Sequence, residues 1–273
     1  MKSPLRTFTS GALHRAVGTV MIAAAERAIL PRYRQLGRTD ILQKAIGEPV
    51  TIADRESEAI LSEGLAKLLP EAKIVGEEAA DANPALLRML GEELCWIIDP
   101  LDGTGNFVSG EGPFGILVAL AERGVAIGGW IYDPLSKRTV AAFQGEGTMI
   151  NGAPVRSNGS KATPRTAAIS ALIPPELRLQ LQTSLGPHFQ AVTIPRCAAE
   201  QYPRVILGIN DLTFFERTLA WDHAAGVLCL SEAGGVATRL DGSPYRVDDD
   251  RTGLLAAASP ALWEEAIGYI RQH

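Results

Sequence analysis

The sequence has few cysteines, no excess of positive charge and no long apolar run. Its three cysteines, Cys95, Cys197 and Cys229, lie in apolar surroundings without C-x-x-C spacing, which argues against a disulfide framework. No stretch approaches the roughly 20 apolar residues that cross a bilayer, because charged residues interrupt the N-terminal apolar run. We therefore expect a cytoplasmic protein with reduced thiols and no membrane partner.

The charge balance also narrows the choice of partner. With 26 Lys and Arg against 31 Asp and Glu, the net charge is −5, which makes nucleic acid an unlikely partner. The 273 residues, 46% hydrophobic and 21% charged, are typical of a globular protein with a large core. The chain is long enough for one large domain or two closely packed ones.

The most informative segment is 96–107, WIIDPLDGTGNF. Three apolar residues predict the end of a buried strand, so Asp99 and Asp102 emerge at the edge where open α/β sheets bind ligands. A turn at Pro100 and Gly103 is expected to fold both carboxylates toward one point. Because two like charges held close together are unfavourable, this arrangement predicts a bound divalent metal. The N–H groups of a turn that opens a helix at Thr104 suit a phosphate.

Three further segments supply acidic residues. KIVGEE is a short apolar run that ends in Glu77 and Glu78, TIAD is an extended run that ends in Asp54, and WDHAAG places Asp222 at the start of an apolar helix. His223 follows on that helix and is expected at its surface. Oxygen ligands from four separated segments, without His or Cys at regular spacing, indicate Mg²⁺ or Mn²⁺ and not zinc.

In this order, Asp, Gly-Glu-Glu, DPLDGT and WDHAAG, the motifs resemble the inositol monophosphatase family of the lithium-sensitive, magnesium-dependent phosphatase superfamily, over about residues 44–235. The resemblance implies an α/β (α+β) fold of five layers, an αβαβα sandwich. It also implies a homodimeric phosphoric monoester hydrolase that attacks a small polyol phosphate, such as inositol 1-phosphate, with an activated water molecule.

The residues themselves predict a first amphipathic helix over about residues 10–36 and a second from Arg55 to Leu69. They also predict an antiparallel meander in the first half of the chain and alternating strands and helices in the second half. The polar segment 156–165 lies between the two patterns. We expect an N-terminal α+β domain over 1–155, with most of the metal ligands, and a C-terminal α/β domain over 156–273 that determines substrate specificity.

The resemblance implies two metal ions. One would be held by Glu77, Asp99 and the main-chain carbonyl of Leu101, and the other by Asp99, Asp102 and Asp222. A third, weaker ion near Glu77 occurs in the family. Mn²⁺ is a possible substitute for Mg²⁺, and Li⁺ would inhibit by replacing the more weakly held ion. Two ions close together can stabilise both the attacking and the leaving oxygen.

The remaining site residues are also carried over by resemblance. Glu77, Thr104 and Asp54 would be catalytic, because together they orient and deprotonate the attacking water. The amides of the Gly103–Thr104 turn would bind phosphate, and Glu216 would accept a substrate hydroxyl. The expected substrate-binding residues are Asp102, Gly103, Thr104, Glu200, Glu216 and Asp222.

The segment RCAAEQY, residues 196–202, departs from the family pattern, because Glu200 replaces a small hydroxyl residue of the sugar pocket. We expect Glu200 at the start of a helix facing the leaving-group pocket, where a carboxylate would favour an amine. Histidinol-phosphate phosphatases carry an acid and a tyrosine at this point, as Glu200 and Tyr202 do here, so this activity is an alternative. A second alternative is a non-catalytic protein that binds the transcription machinery, as some bacterial family members do.

Overall fold

A computed structural model of the chain describes residues 10–37, 40–45, 48–92, 94–159, 165–169 and 173–272. The helices are α1 Ser10–Ala24, α2 Ile52–Leu68, α3 Glu77–Ala82, α4 Thr104–Ser109, α5 Pro175–Leu185, α6 Ala198–Ile206, α7 Ala220–Glu232 and α8 Pro260–Arg271. The strands of the first half are β1 Ile41–Ala45, β2 Glu48–Thr51, β3 Lys73–Gly76, β4 Cys95–Asp102, β5 Gly115–Glu122, β6 Val125–Asp133, β7 Arg138–Phe143, β8 Gly147–Ile150 and β9 Ala153–Val155. Those of the second half are β10 Thr166–Ile169, β11 Gln190–Val192, β12 Leu212–Phe215, β13 Val236–Thr238 and β14 Leu254–Ala257.

The first sheet has seven strands in sequence order, β3 to β9. Strand β3 pairs with β4 in parallel, and every later pair is antiparallel, which confirms the predicted meander. Successive side chains of β4 alternate between two cores. Trp96 and Ile98 pack against α1 and α2, whereas Cys95 and Ile97 pack toward α6 and α7.

The second sheet has five strands in the order β11-β10-β12-β14-β13, with parallel pairs on one side of β12 and antiparallel pairs on the other. Helices α6 and α7 lie between the two sheets, and α5 and α8 cover the far face. The five layers are therefore α1 and α2, the seven-stranded sheet, α6 and α7, the five-stranded sheet, and α5 and α8. This is the predicted αβαβα sandwich.

The two sheets fall on either side of the predicted domain boundary, but one apolar core extends from β4 of the first sheet to β14 of the second. The boundary segment 156–165 includes residues 160–164, which lie outside the described residues. The division into two domains stays a prediction. No helix in the described part of the chain has the length and apolar character needed to span a membrane.

Two helix boundaries differ from the sequence prediction. The first helix was expected to continue to about residue 36, but α1 ends at Ala24 and is followed by a π-helical turn, Ala25–Ile29, and a 3-10 turn, Leu30–Arg32. Pro31 lies in that last turn and has no N–H with which to continue the helix. The second helix begins at Ile52, not Arg55, because the hydroxyl of Thr51 caps its first turn.

Candidate active site

A cavity of about 780 Å³ opens where β3 and β4 end and α4 and α7 begin. Most of the sequence-predicted site residues line it, although they come from five separate elements and loops. The lining residues from that prediction are Glu77, Asp99, Leu101, Asp102, Gly103, Thr104, Glu216 and Asp222. Asp81, on α3, adds one more carboxyl group to the wall.

A β-bulge brings Asp99 and Asp102 to the same side of β4. Residues three apart on a regular strand point to opposite faces. Here Asp99 lies opposite Leu117 and Asp102 lies opposite Gly115, so β4 has one residue more than β5 between these pairs. The extra residue reverses the alternation and places both carboxyl groups on the cavity. The sequence predicted that a turn after Asp99 brings the two carboxyl groups together, whereas a bulge within β4 does so.

Glycine is required at the end of β4. Gly103 has φ of 81°, in the left-handed region, and a Cβ there would lie 2.9 Å from the carbonyl oxygen of Pro113. Helix α4 begins at the next residue, Thr104. The turn between the second aspartate and the helix is therefore as sharp as the sequence predicts.

Asp54 lies in the first turn of α2 and not at the end of an extended run. Its Oδ2 accepts hydrogen bonds from the N–H and the hydroxyl of Thr51 at 2.8 and 2.6 Å. Its Oδ1 lies 3.1 Å from the hydroxyl of Thr104, which is also 2.9 Å from the carbonyl oxygen of Leu101. Burial raises the pKa of Asp54 to about 6, although the hydrogen bonds from Thr51 oppose this shift.

Three aspartates share the cavity wall, Asp99 buried and Asp102 and Asp222 half-buried, and their removal from water raises the pKa of each. Burial is the largest cause for Asp99, whose pKa lies well above its usual range, followed by the charges of Glu77, Asp102 and Asp222. Burial and Asp102 raise the pKa of Asp222 to about 8. Burial raises that of Asp102 to about 6, although its Oδ2 accepts a 2.6 Å hydrogen bond from the N–H of Ala199.

This donor set fits a divalent cation of the Mg²⁺ type. The groups are carboxyl oxygens and a main-chain carbonyl oxygen, which are hard ligands, and their shared burial is unfavourable until a positive charge compensates it. In the part of the chain that the structure describes, no three His, Cys, Asp or Glu side chains are arranged so that they could hold a metal ion as they stand. The fit therefore rests on the donor chemistry and on the mutual effect of these carboxyl groups on their pKa values.

The sequence profile of the inositol monophosphatase family matches residues 4–273. The chain belongs to this family. It is 30% identical to the Nus factor SuhB of Vibrio cholerae, over 93% of this chain and 95% of that protein. It is 32% identical to the inositol-1-monophosphatase of Bacillus subtilis, over 78% of this chain and 80% of that protein.

Solved structures of the inositol monophosphatase type show the same fold. The extragenic suppressor protein suhB of Bartonella henselae superposes with a TM-score of 0.82 at 22% identity, covering 96% of this chain and 99% of that one. An inositol monophosphatase of Zymomonas mobilis gives 0.79 at 24% identity, covering 97% and 99%. At these identities the likeness establishes the fold alone.

Glu200 is not among the residues that line the cavity, although we expected it from the sequence to face the leaving-group pocket. Its carboxylate accepts hydrogen bonds from Arg138 of β7 and, at 2.7 Å, from Nε of Arg204. In the first turns of α6, Ala198 and Gln201 line the cavity, whereas the side chain of Glu200 points toward β7. The four-residue spacing of Glu200 and Arg204 is the sequence signal that favours this ion pair.

His223 is buried, with 2% of its surface exposed, and not on the helix surface as predicted. Its Nε2 lies 3.0 Å from the carbonyl oxygen of Arg217, which can only accept, so Nε2 carries the proton. Its Nδ1 then accepts from the hydroxyl of Tyr202 at 2.8 Å. Burial lowers the pKa of His223 to about 3, and the ring is neutral. His223 thus fixes the loop that carries Glu216 and Arg217.

Proposed function

We propose that the chain is a Mg²⁺-dependent phosphomonoesterase that hydrolyses a small polyol phosphate such as inositol 1-phosphate. The observation that carries this proposal is the convergence of Asp99, Asp102, Asp222 and Glu77 on one cavity, next to the Gly103–Thr104 turn, where the pKa values of Asp99 and Asp222 are raised. Several carboxyl groups held close together and partly removed from water reduce stability, and they are typical of a site built for a cation. Membership of the family and the name of the Bacillus subtilis relative support the same reaction.

Two or three Mg²⁺ ions would be held by Glu77, Asp99, the Leu101 carbonyl, Asp102 and Asp222. When bound, Mg²⁺ neutralises charge on the phosphate and lowers the pKa of water, and Mn²⁺ is expected to substitute. The protein would supply the rest of the chemistry.

In the protein's part of the reaction, Asp54 would accept a hydrogen bond from the Thr104 hydroxyl, whose oxygen could in turn accept one from the attacking water and orient it. Glu77 would take a proton from that water. The N–H groups of Gly103 and Thr104 would donate to phosphate oxygens at the start of α4. Hydroxyl groups of the substrate would donate hydrogen bonds to Asp102, Glu216 and Asp222.

The leaving group is expected to be a neutral polyol and not an amine. The carboxylate that would have bound an amine, Glu200, is already paired with Arg138 and Arg204. Arginines also line the described cavity wall, at Arg196 and Arg217, and they would repel a cationic leaving group. Histidinol phosphate is therefore the second choice of substrate.

A phosphatase screen tests this proposal with inositol 1-phosphate, histidinol phosphate, fructose 1,6-bisphosphate and adenosine 3′,5′-bisphosphate. We expect Mg²⁺-dependent release of phosphate with the highest kcat/KM for inositol 1-phosphate, and inhibition by Li⁺. Absence of Mg²⁺-dependent hydrolysis for all four substrates would contradict an enzymatic role. Sedimentation of the same sample tests the homodimer that we propose from the family.

The name of the Vibrio cholerae relative, Nus factor SuhB, favours a second candidate function, binding to the transcription machinery. A pull-down of RNA polymerase with the wild-type protein and with Asp99→Asn separates the two. Capture that is equal for both proteins, without phosphatase activity in either, would identify a binding protein. Hydrolysis that depends on Asp99, without capture, would identify an enzyme.

A further inference from the structure

One face of α2 carries three buried polar side chains. Asp54, Ser57 and Glu58 are 1%, 0% and 8% exposed, and their spacing of three and four residues places them on the same side of the helix. Buried polar groups are costly unless they are hydrogen-bonded, so the partners of this face matter for its function. Each of the three bonds to a different segment of the candidate site.

Ser57 and Glu58 hold two segments that carry predicted metal ligands. The hydroxyl of Ser57 donates to the carbonyl oxygen of Pro100 at 2.8 Å, inside the β4 bulge that separates Asp99 from Asp102. The carboxylate of Glu58 accepts from the N–H groups of Glu78 and Ala79 at 2.8 and 2.9 Å. Those two N–H groups belong to the first turn of α3, which begins at Glu77.

Glu58 takes the place of the cap that α3 lacks. The residue at the N-cap position is Gly76, which has no side chain. A Cβ at Gly76 would lie 2.3 Å from the Glu58 carboxyl group. The φ of Gly76 is −96°, which any residue can adopt, so the need for glycine comes from Glu58 and not from the backbone.

We propose that Ser57 and Glu58 are positioning residues, which fix the β4 bulge and the first turn of α3 so that Asp99 and Glu77 can bind a divalent metal. This inference rests on the proposed function. It goes beyond it, because neither residue is expected to touch metal or substrate.

A role in positioning explains a choice that is unfavourable for the fold alone. Glu58 is an acidic side chain buried next to two others, Glu77 and Glu78, and burial with these charges raises its pKa. A carboxylate is nevertheless the side chain with two oxygens that can accept both N–H groups. Its presence keeps the Glu77 backbone fixed at the point where the cavity begins.

The test is Mn²⁺ binding by the purified full chain, followed by electron paramagnetic resonance, with thermal unfolding measured in parallel. In Glu58→Gln one of the two accepting oxygens becomes an NH2 group, which cannot accept the N–H group that bonds to it in the wild-type protein. We expect Mn²⁺ affinity to fall about tenfold, with a smaller fall for Ser57→Ala. Glu63→Gln is the matched control, because Glu63 lies on the same helix, is exposed and pairs with exposed Lys67, so the Mn²⁺ affinity of this variant should be unchanged.

A double variant shows whether Glu58 acts through Glu77. Added to Glu77→Gln, Glu58→Gln should cause no further loss of Mn²⁺ affinity. A further loss as large as that in the wild-type background would overturn the proposed route, and wild-type affinity in Glu58→Gln would overturn the inference as a whole. Failure of the wild-type protein itself to bind Mn²⁺ would refute the proposed function, and the inference with it.

Gly76→Ala provides a second variant if Glu58→Gln does not fold. Its methyl group must displace the Glu58 carboxyl group, so Mn²⁺ affinity should again fall. Gly18→Ala in α1 is the control, because a Cβ there meets no atom within 4 Å. Equal Mn²⁺ affinities for Gly76→Ala and Gly18→Ala would contradict the inference.

Discussion

The acidic cavity and the ion-pair cluster around Glu200 are two groups of charged side chains beside the same helix, α6, and they differ in how their charge is balanced. In the cavity, loss of contact with water and the charges of neighbouring acids raise the pKa of Asp99 and of Asp222. In the cluster, Glu200 is paired with Arg138 and Arg204.

Burial alone does not explain the difference, because the Glu200 and Arg138 side chains are also largely buried, at 14% and 16% exposed. Arg138 lies 3.8 Å from a second acid, Asp133, as well. The ion-pair cluster is complete within the chain and contributes to the fold. The acidic cavity instead holds several acids close together, which is the pattern expected of the cation site that we propose. Adjacent residues of α6, Ala199 and Glu200, belong one to each group.

The largest expected effect comes from removing one charge of the cavity. Asp99→Asn should lower Mg²⁺-dependent hydrolysis of inositol 1-phosphate by about a thousandfold or more, equivalent to about 4 kcal/mol of transition-state stabilisation. Its far-UV circular dichroism should match that of the wild type. Steady-state kinetics at saturating Mg²⁺ check this prediction. Turnover by Asp99→Asn at the wild-type rate would contradict a functional role for the acidic cavity.

The same change of charge in the ion-pair cluster should affect stability and not activity. Glu200→Gln leaves Arg138 and Arg204 without their shared carboxylate, and we expect a loss of about 1–3 kcal/mol in the free energy of unfolding. The kcat/KM values for inositol 1-phosphate and histidinol phosphate should both stay within about threefold of wild type. A fall in kcat/KM for histidinol phosphate alone would contradict this and would indicate that Glu200 contacts the leaving group.

The pH dependence of the metal-free protein should report the unbalanced charge directly. The pKa of Asp102 is about 6 and that of Asp222 about 8 in the folded protein, against an ordinary value of 3.8. Because the folded state binds these protons more tightly, the stability they contribute is fully present below 3.8 and is lost as pH rises through 6 and 8.

With a chelator present, the Tm of the wild-type protein should therefore fall as pH rises from about 5.5 to about 8.5. The Tm of Asp222→Asn should fall by less over the same range. Added Mg²⁺ should raise the Tm more at the higher pH, because it compensates carboxylates that are then ionised. Scanning calorimetry measures the change of Tm with pH, with the chelator and with added Mg²⁺, and Glu200→Gln is the control. A metal-free Tm that does not fall with pH would contradict the charge imbalance.

The smallest effect is expected where buried polar groups are satisfied without charge. Tyr202→Phe removes the hydroxyl that donates to Nδ1 of His223 and should cost about 1 kcal/mol of stability. That corresponds to a fall in Tm of about 2–4 °C. Denaturant unfolding checks it, and a loss as large as that of Glu200→Gln would mean that this neutral pair matters as much as the ion-pair cluster.

The sequence by itself determined the family, the order of the layers and the segments that reach the cavity. Apolar runs ending in DPLDGT and GEE, and an apolar helix opening with WDHAAG, are local patterns, and strand and helix periodicity place their acids at the ends of elements. The family profile and the five-layer fold confirm that level of the prediction. Residue types at a given spacing were enough to predict these features, because the ends of strands and helices depend on the local sequence.

Only the tertiary structure decided where individual side chains point. Glu200 faces Arg138, which is 62 residues away in the sequence, and His223 is buried by Tyr202 and Arg217. The β4 bulge depends on its pairing with β5, and the contacts of Ser57 and Glu58 depend on how α2 packs across the site. Such orientations are set by distant partners and by what must be excluded from water, and local spacing indicates only one of these contacts, the pair of Glu200 with Arg204 four residues later.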